Sequence, residues 1–218
     1  MNNKTEIKFG IVGIIAALLV GFGEFLVHYS SVGYESGLPF GYFGYVAPDR
    51  MTVGHCFIII GIPLYYVGYY HIYRVLKNAA PRLALALFIF GILSFIYGGI
   101  WVSSRAFLGH LYHIIAPENP KMWLEIAESY NLLLENLVSI LRVTILIVSI
   151  LYVYIILKYK TPYPKWVAFF NPILMLAIVF FLFFFVPSIG NYLSPTAMNE
   201  AHLFMFSASV LALLTNKS

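Results

Sequence analysis

Residues 8–29 read KFGIVGIIAALLVGFGEFLVHY. After Lys8 the run holds no charge until Glu24. A helix needs about 20 such apolar residues to cross a hydrocarbon core of roughly 30 Å. A basic start followed by apolar residues also imitates a signal peptide. No A-x-A cleavage pattern follows, however, and the run continues through Glu24 to His28. It is therefore expected to be a retained first spanning helix.

Comparable runs recur along the chain. Spans are expected at 51–76, at 81–108 with an extension to 115, at 120–159, at 164–186 and at 195–215. The breaks between them carry turn chemistry. Pro81 pushes the preceding residue out of helical geometry, and Asn119 with Pro120 makes an N-cap followed by a first helical proline. Composition agrees: 61% of the 218 residues are hydrophobic and 10% charged, with mean hydropathy +0.86. Soluble domains hold about 45–50% and about 25% respectively. Such a chain is not disordered, does not bind nucleic acid and is not an ordinary cytosolic enzyme. The expected fold is all-α: one domain over 1–218, a polytopic bundle of six transmembrane helices.

The basic residues orient this bundle. With the N-terminus cytoplasmic, Lys4, Lys8, Arg74, Lys77, Arg82, Lys158, Lys160, Lys165 and Lys217 lie inside, and only Arg50, Arg105 and Lys121 outside. Nine against three is a strong positive-inside bias. Both termini are then cytoplasmic, and the expected location is the cell membrane, a bacterial inner membrane. The same orientation puts Glu24, Glu35, Asp49, Glu118, Glu125, Glu128, Glu135 and Glu200 in the outer half or beyond. Five of six histidines join them, all except His71.

The fourth helix is too long for a membrane alone. Some 40 residues make roughly 60 Å, twice the hydrocarbon thickness. The third and fourth helices are therefore expected to extend beyond the outer surface as a hairpin tipped by APENP, residues 116–120. Glu125, Glu128, Glu135, Ser139 and Arg142 are spaced 3, 7, 4 and 3, which places them on one face. An ionised face entering lipid is costly, so this seam is expected to face the bundle interior. Arg142, the deepest charge, then needs a partner from another helix, and Glu24 is the first choice.

An outward-facing pocket is the functional expectation, with Glu24, His28, His55, Arg105, His110, Glu135, Arg142 and His202 as its lining. Glu24 and His28 are four apart, one face of a helix. His110 and His113 form an HxxH pair, and with His55 they are the candidate ligands of a divalent metal. His28, His55 and His202 at comparable depth leave a haem open, with nothing to fix an axial pair. Gly61 with Gly68, and Gly91 with Gly98, are seven apart and read as close helix packing. The aromatic stretch GYESGLPFGYFGY, residues 33–45, is either a lid over the outer mouth or an interfacial belt. Cys56 stands alone, so no intrachain disulfide forms, and it reads as a helix filler.

The expected partners are the bilayer and a lipid headgroup or small molecule. The alternatives are a metal-dependent intramembrane lipid hydrolase, a haem protein, or a structural subunit whose charges pair internally. Secondary transport is disfavoured, because no pair of corresponding helices is interrupted and no repeat is present.

The order GFGEFLVHYS (21–30), APDRMTVGHCFIIIGIPLYYVGYYHIYRVL (47–76) and GHLYHII (109–115) resembles an uncharacterised family of multi-pass bacterial membrane proteins. The likeness covers roughly the first half of the chain, to His113, and implies membrane location without an activity.

Overall fold

A computed structural model describes residues 3–30 and 37–215. Glu35, Lys217 and the 33–36 part of the aromatic stretch lie outside the described residues. The described chain is all-helical, with seven α-helices and no strand: α1 Asn3–His28, α2 Pro48–Leu76, α3 Pro81–Ile115, α4 Pro120–Lys158, α5 Pro172–Phe185, α6 Pro187–Leu193 and α7 Ala197–Thr215. Five helical segments are long and apolar enough to cross a membrane: Lys4–His28, Pro48–Leu76, Pro81–Ile115, Pro120–Lys158 and Pro187–Thr215.

The third and fourth helices have the expected bounds. At 35 and 39 residues they are the longest in the fold. Asn119 caps α4, its side chain accepting from the Met122 amide at 3.0 Å, and proline occupies the first turn of both helices. The expected fifth and sixth helices need correction. Residues 164–186 are not one helix: Lys165–Phe170 is a 3₁₀ segment, and α5 begins only at Pro172 with 14 residues. Pro172 has no amide to donate inward, and Asn171 turns to cap the new helix instead, accepting from Leu174 at 3.1 Å. The last helical run starts at Pro187 rather than 195, because α6 leads through a 3₁₀ turn, Ser194–Thr196, into α7.

Hydrogen bonds sort the helix ends. At one end, here the basal end, Arg74 Nη2 of α2 lies 2.8 Å from Glu6 Oε1 of α1. There too His71 Nε2 meets Ser209 Oγ of α7 at 2.6 Å, and the Tyr163 hydroxyl meets the same oxygen. At the opposite, distal end, Arg50 donates to the carbonyls of Phe25 and Tyr29, both at 2.9 Å. The start of α1 and the later turns of α7 therefore lie at the same end of the bundle.

The tightest packing joins α1 to α2. Gly54, Gly61 and Gly68 recur every seven residues on α2 and face α1. A Cβ on Gly68 would lie 2.8 Å from the Gly13 Cα, and one on Gly23 would lie 2.6 Å from the Gly54 carbonyl oxygen. Real side chains do not fit at such distances, so the two backbones touch through glycine. The seven-residue reading thus holds for Gly61 and Gly68, while Gly91 packs on the Tyr69 ring. Gly98 is the exception: a Cβ there would meet nothing within 4 Å.

Across the other face of α2, large side chains fill the gap to α7. Tyr65, Tyr69, His202 and Phe206 are fully buried and pack as edge-on and tilted rings. The seam of α4 runs opposite to expectation. Glu125, Glu128, Glu135, Ser139 and Arg142 are exposed, whereas Trp123, Ala127, Leu134, Leu141, Val148 and Tyr152 are buried. That apolar row repeats at fours and sevens, and burying it costs no charge desolvation.

Candidate functional site

A cavity of about 270 Å³ opens within the bundle. Val20 and Glu24 of α1, Ile58 and Ile62 of α2, and Phe95, Gly98, Trp101 and Val102 of α3 form one side. Leu141, Arg142 and Ile145 of α4, Leu176 and Phe180 of α5, and Met198 and Asn199 of α7 complete it. The missing side chain at Gly98 faces open space, which makes part of this room. Glu24 and Arg142 are its two ionisable lining residues.

Glu24 is held by a buried relay from α2 through α7. The Tyr65 hydroxyl donates to Asn199 Oδ1 at 2.7 Å, and Asn199 Nδ2 donates to Glu24 Oε2 at 2.6 Å. Both ends of the Asn199 amide are thereby used, which fixes its orientation. Removing either partner inside such a network orphans a buried group at a cost of about 1–3 kcal/mol.

Glu24 and Arg142 share the cavity but are not bonded, which corrects the expected pairing. Arg142 Nη1 instead lies 3.4 Å from Glu135 Oε1, seven residues back on its own helix. Both side chains are 68% exposed, and a long, solvated pair of this kind contributes little. The exposed seam lets Arg142 reach back along α4, so a partner from α1 is not required.

The remaining candidates fall into three places. His28 and Arg105 do not line the cavity but both pack against Trp101, which does. The His28 ring stacks on Trp101 with centroids 5.8 Å apart, and the Arg105 guanidinium lies 4.8 Å from the Trp101 ring centre. His202 lies one turn beyond Asn199 with both nitrogens engaged. A carbonyl only accepts, so Nδ1 donates to Met198 O at 2.7 Å, and Nε2 accepts the Tyr69 hydroxyl at 2.7 Å. That leaves neither nitrogen free for haem iron.

His110 and His113 serve the distal end. His110 Nε2 meets Thr52 Oγ1 at 3.1 Å, and His113 Nε2 donates to the Val46 carbonyl at 2.9 Å. His55 is half-buried on α2. Among the described residues no group of three or more His, Cys, Asp or Glu side chains is placed to hold a metal ion. Cys56 is exposed on α2.

The described part of the aromatic stretch folds inward against α3 and α4. Tyr42 and Phe43 are buried, Trp123 Nε1 donates to Pro39 O at 2.9 Å, and Arg105 donates to the Tyr42 hydroxyl at 3.2 Å. Phe40 adopts φ 58°, the left-handed region, at a cost of roughly 1 kcal/mol or more for an L side chain. Its ring lies 5.1 Å from the Arg105 guanidinium and edge-on to Tyr130.

Two features escaped sequence reasoning. His71 is fully buried against Ser209, and the fully buried Glu6 pairs with Arg74. The spacing of Asn199, His202, Phe206 and Ser209 at three, four and three was the available signal for a polar row on α7.

Helices, cavity and polar relay define an all-helical protein with apolar helices compatible with a membrane. A family model described as "Family of unknown function (DUF6796)" matches residues 1–216, and the chain belongs to that family. No curated protein and no solved structure matches it.

Proposed function

We propose that this is an integral membrane protein that binds an amphiphile in the cavity walled by Glu24 and Arg142. The five long apolar segments supply five crossings. The 3₁₀ segment Lys165–Phe170 and α5 together rise roughly 30 Å and supply the sixth. The basic residues then set the basal end in the cytoplasm and extend α3 and α4 beyond the outer surface.

One observation carries the reading: an apolar cavity lined by a carboxyl, Glu24, and a guanidinium, Arg142, that are not paired with each other. Pockets that orient a ligand combine an apolar lining with a few fixed polar groups, and the Tyr65–Asn199 relay fixes Glu24 in this way. A purely structural role is the alternative, favoured by the internal pairing of Glu6 with Arg74 and Tyr69 with His202.

The test uses Trp101, which lines the cavity. Replacing Trp123 and Trp166 with Phe leaves it as the sole tryptophan of three. Phospholipid with brominated acyl chains, titrated into the detergent-solubilised protein, should quench Trp101 saturably. Quenching that only rises in proportion to bulk lipid would overturn the reading.

A further inference from the structure

We infer that the ligand is a zwitterionic phospholipid whose headgroup carries a primary ammonium beside a phosphodiester, seated head-first in the cavity with an acyl chain lying between α4 and α5. This deepens the amphiphile reading and rests on it. The first support is charge. Among the described residues Glu24 has no cation within salt-bridge distance, and Arg142 has only the long, exposed contact to Glu135. A ligand that offers a cation to Glu24 and an anion to Arg142 meets both groups without carrying net charge into an apolar space, which is expensive. A zwitterion satisfies both and adds none. The ammonium donates to Glu24, and the planar guanidinium of Arg142 takes two phosphate oxygens.

The second support is a groove. Just beyond the cavity's Ile145 and Leu176, a second depression of about 560 Å³ runs along α4 and α5. Leu146, Ile150, Val153, Leu157 and Ile173 line it, and Lys158 closes the far end. From 146 to 158 an α-helix rises roughly 18 Å, the reach of a long acyl chain. The groove lies on the basal side of the cavity along α4, so a lipid with its head near Glu24 and its chain in the groove points its tail toward the bilayer centre, as an outer-leaflet lipid does. Ile145 and Leu146, consecutive on α4, line the cavity and the groove respectively, which sets head site and tail site side by side for one molecule.

The experiment measures lipid retained on the full-length protein by native mass spectrometry. It is incubated with phosphatidylethanolamine, phosphatidylcholine or phosphatidylglycerol of identical chains. The wild type should hold phosphatidylethanolamine about tenfold better than phosphatidylglycerol, which lacks the ammonium. It should also prefer it to phosphatidylcholine, whose quaternary nitrogen has no N–H to donate. Glu24→Gln should erase the phosphatidylethanolamine preference and leave phosphatidylglycerol retention unchanged; Arg142→Gln should weaken both. Equal retention of the three lipids by the wild type, or a preference for phosphatidylglycerol, would overturn the inference. The comparison among lipids needs no variant, so it stands even where Glu24→Gln fails to fold. Retention of none of the three, with no saturable quenching of Trp101, would instead overturn the amphiphile reading beneath it.

Discussion

The α1–α2–α7 side and the α4–α5 side of this bundle are built by different rules. On the first, backbones meet through Gly13, Gly23, Gly54 and Gly68, and the buried pairs Tyr65–Asn199, Tyr69–His202 and His71–Ser209 each bridge α2 and α7. On the second, α4 and α5 touch little, and the space between them is a cavity and an open groove. α5 is also the one short helix among the crossing candidates, interrupted at Asn171–Pro172. The difference teaches where stability and function divide. A glycine that contacts a backbone holds the bundle together, whereas Gly98, which contacts nothing, makes room for something else.

This contrast can be broken by substitution. Asn199→Leu should have the largest effect, because it orphans Glu24 and the Tyr65 hydroxyl together. At about 1–3 kcal/mol for each orphaned group, a loss of about 3 kcal/mol is expected, read as the largest fall in thermal midpoint. Gly68→Leu should follow, at about 1–3 kcal/mol, since its side chain would drive α2 off the Gly13 backbone and into Phe206. Gly98→Phe should do the reverse: filling space raises stability by about 1 kcal/mol while removing the ligand's room. Glu135→Ala should change stability by less than about 0.5 kcal/mol, because its pair with Arg142 is long and exposed. A destabilisation by Gly98→Phe equal to that of Gly68→Leu would erase the distinction between the two sides.

Much of the fold was legible because its signals are local. Pro81, Asn119 and Pro120 set the starts of α3 and α4 without reference to any neighbour, and helix length follows from the apolar run. The break at Asn171–Pro172 was visible as a proline, but a proline alone does not say whether a helix kinks or restarts. Only the Asn171 cap on Leu174 decides that. Of the site, Glu24 and Arg142 were legible as ionisable residues in apolar runs. That they share a cavity without bonding was not, since it depends on the direction Arg142 takes along α4. The α4 seam misled for a related reason: its charged row and its buried row, Trp123 to Tyr152, have the same helical period. Periodicity gives the faces and tertiary packing chooses between them. Gly98 was misread because spacing cannot separate a glycine against a backbone from a glycine beside a void.

The most direct test compares phospholipid bound to the wild type and to Gly98→Phe after identical extraction and purification, quantified per mole of protein. The wild type should carry phospholipid, and Gly98→Phe should have lost it while melting at the same temperature or higher. Equal phospholipid on both proteins would contradict that expectation.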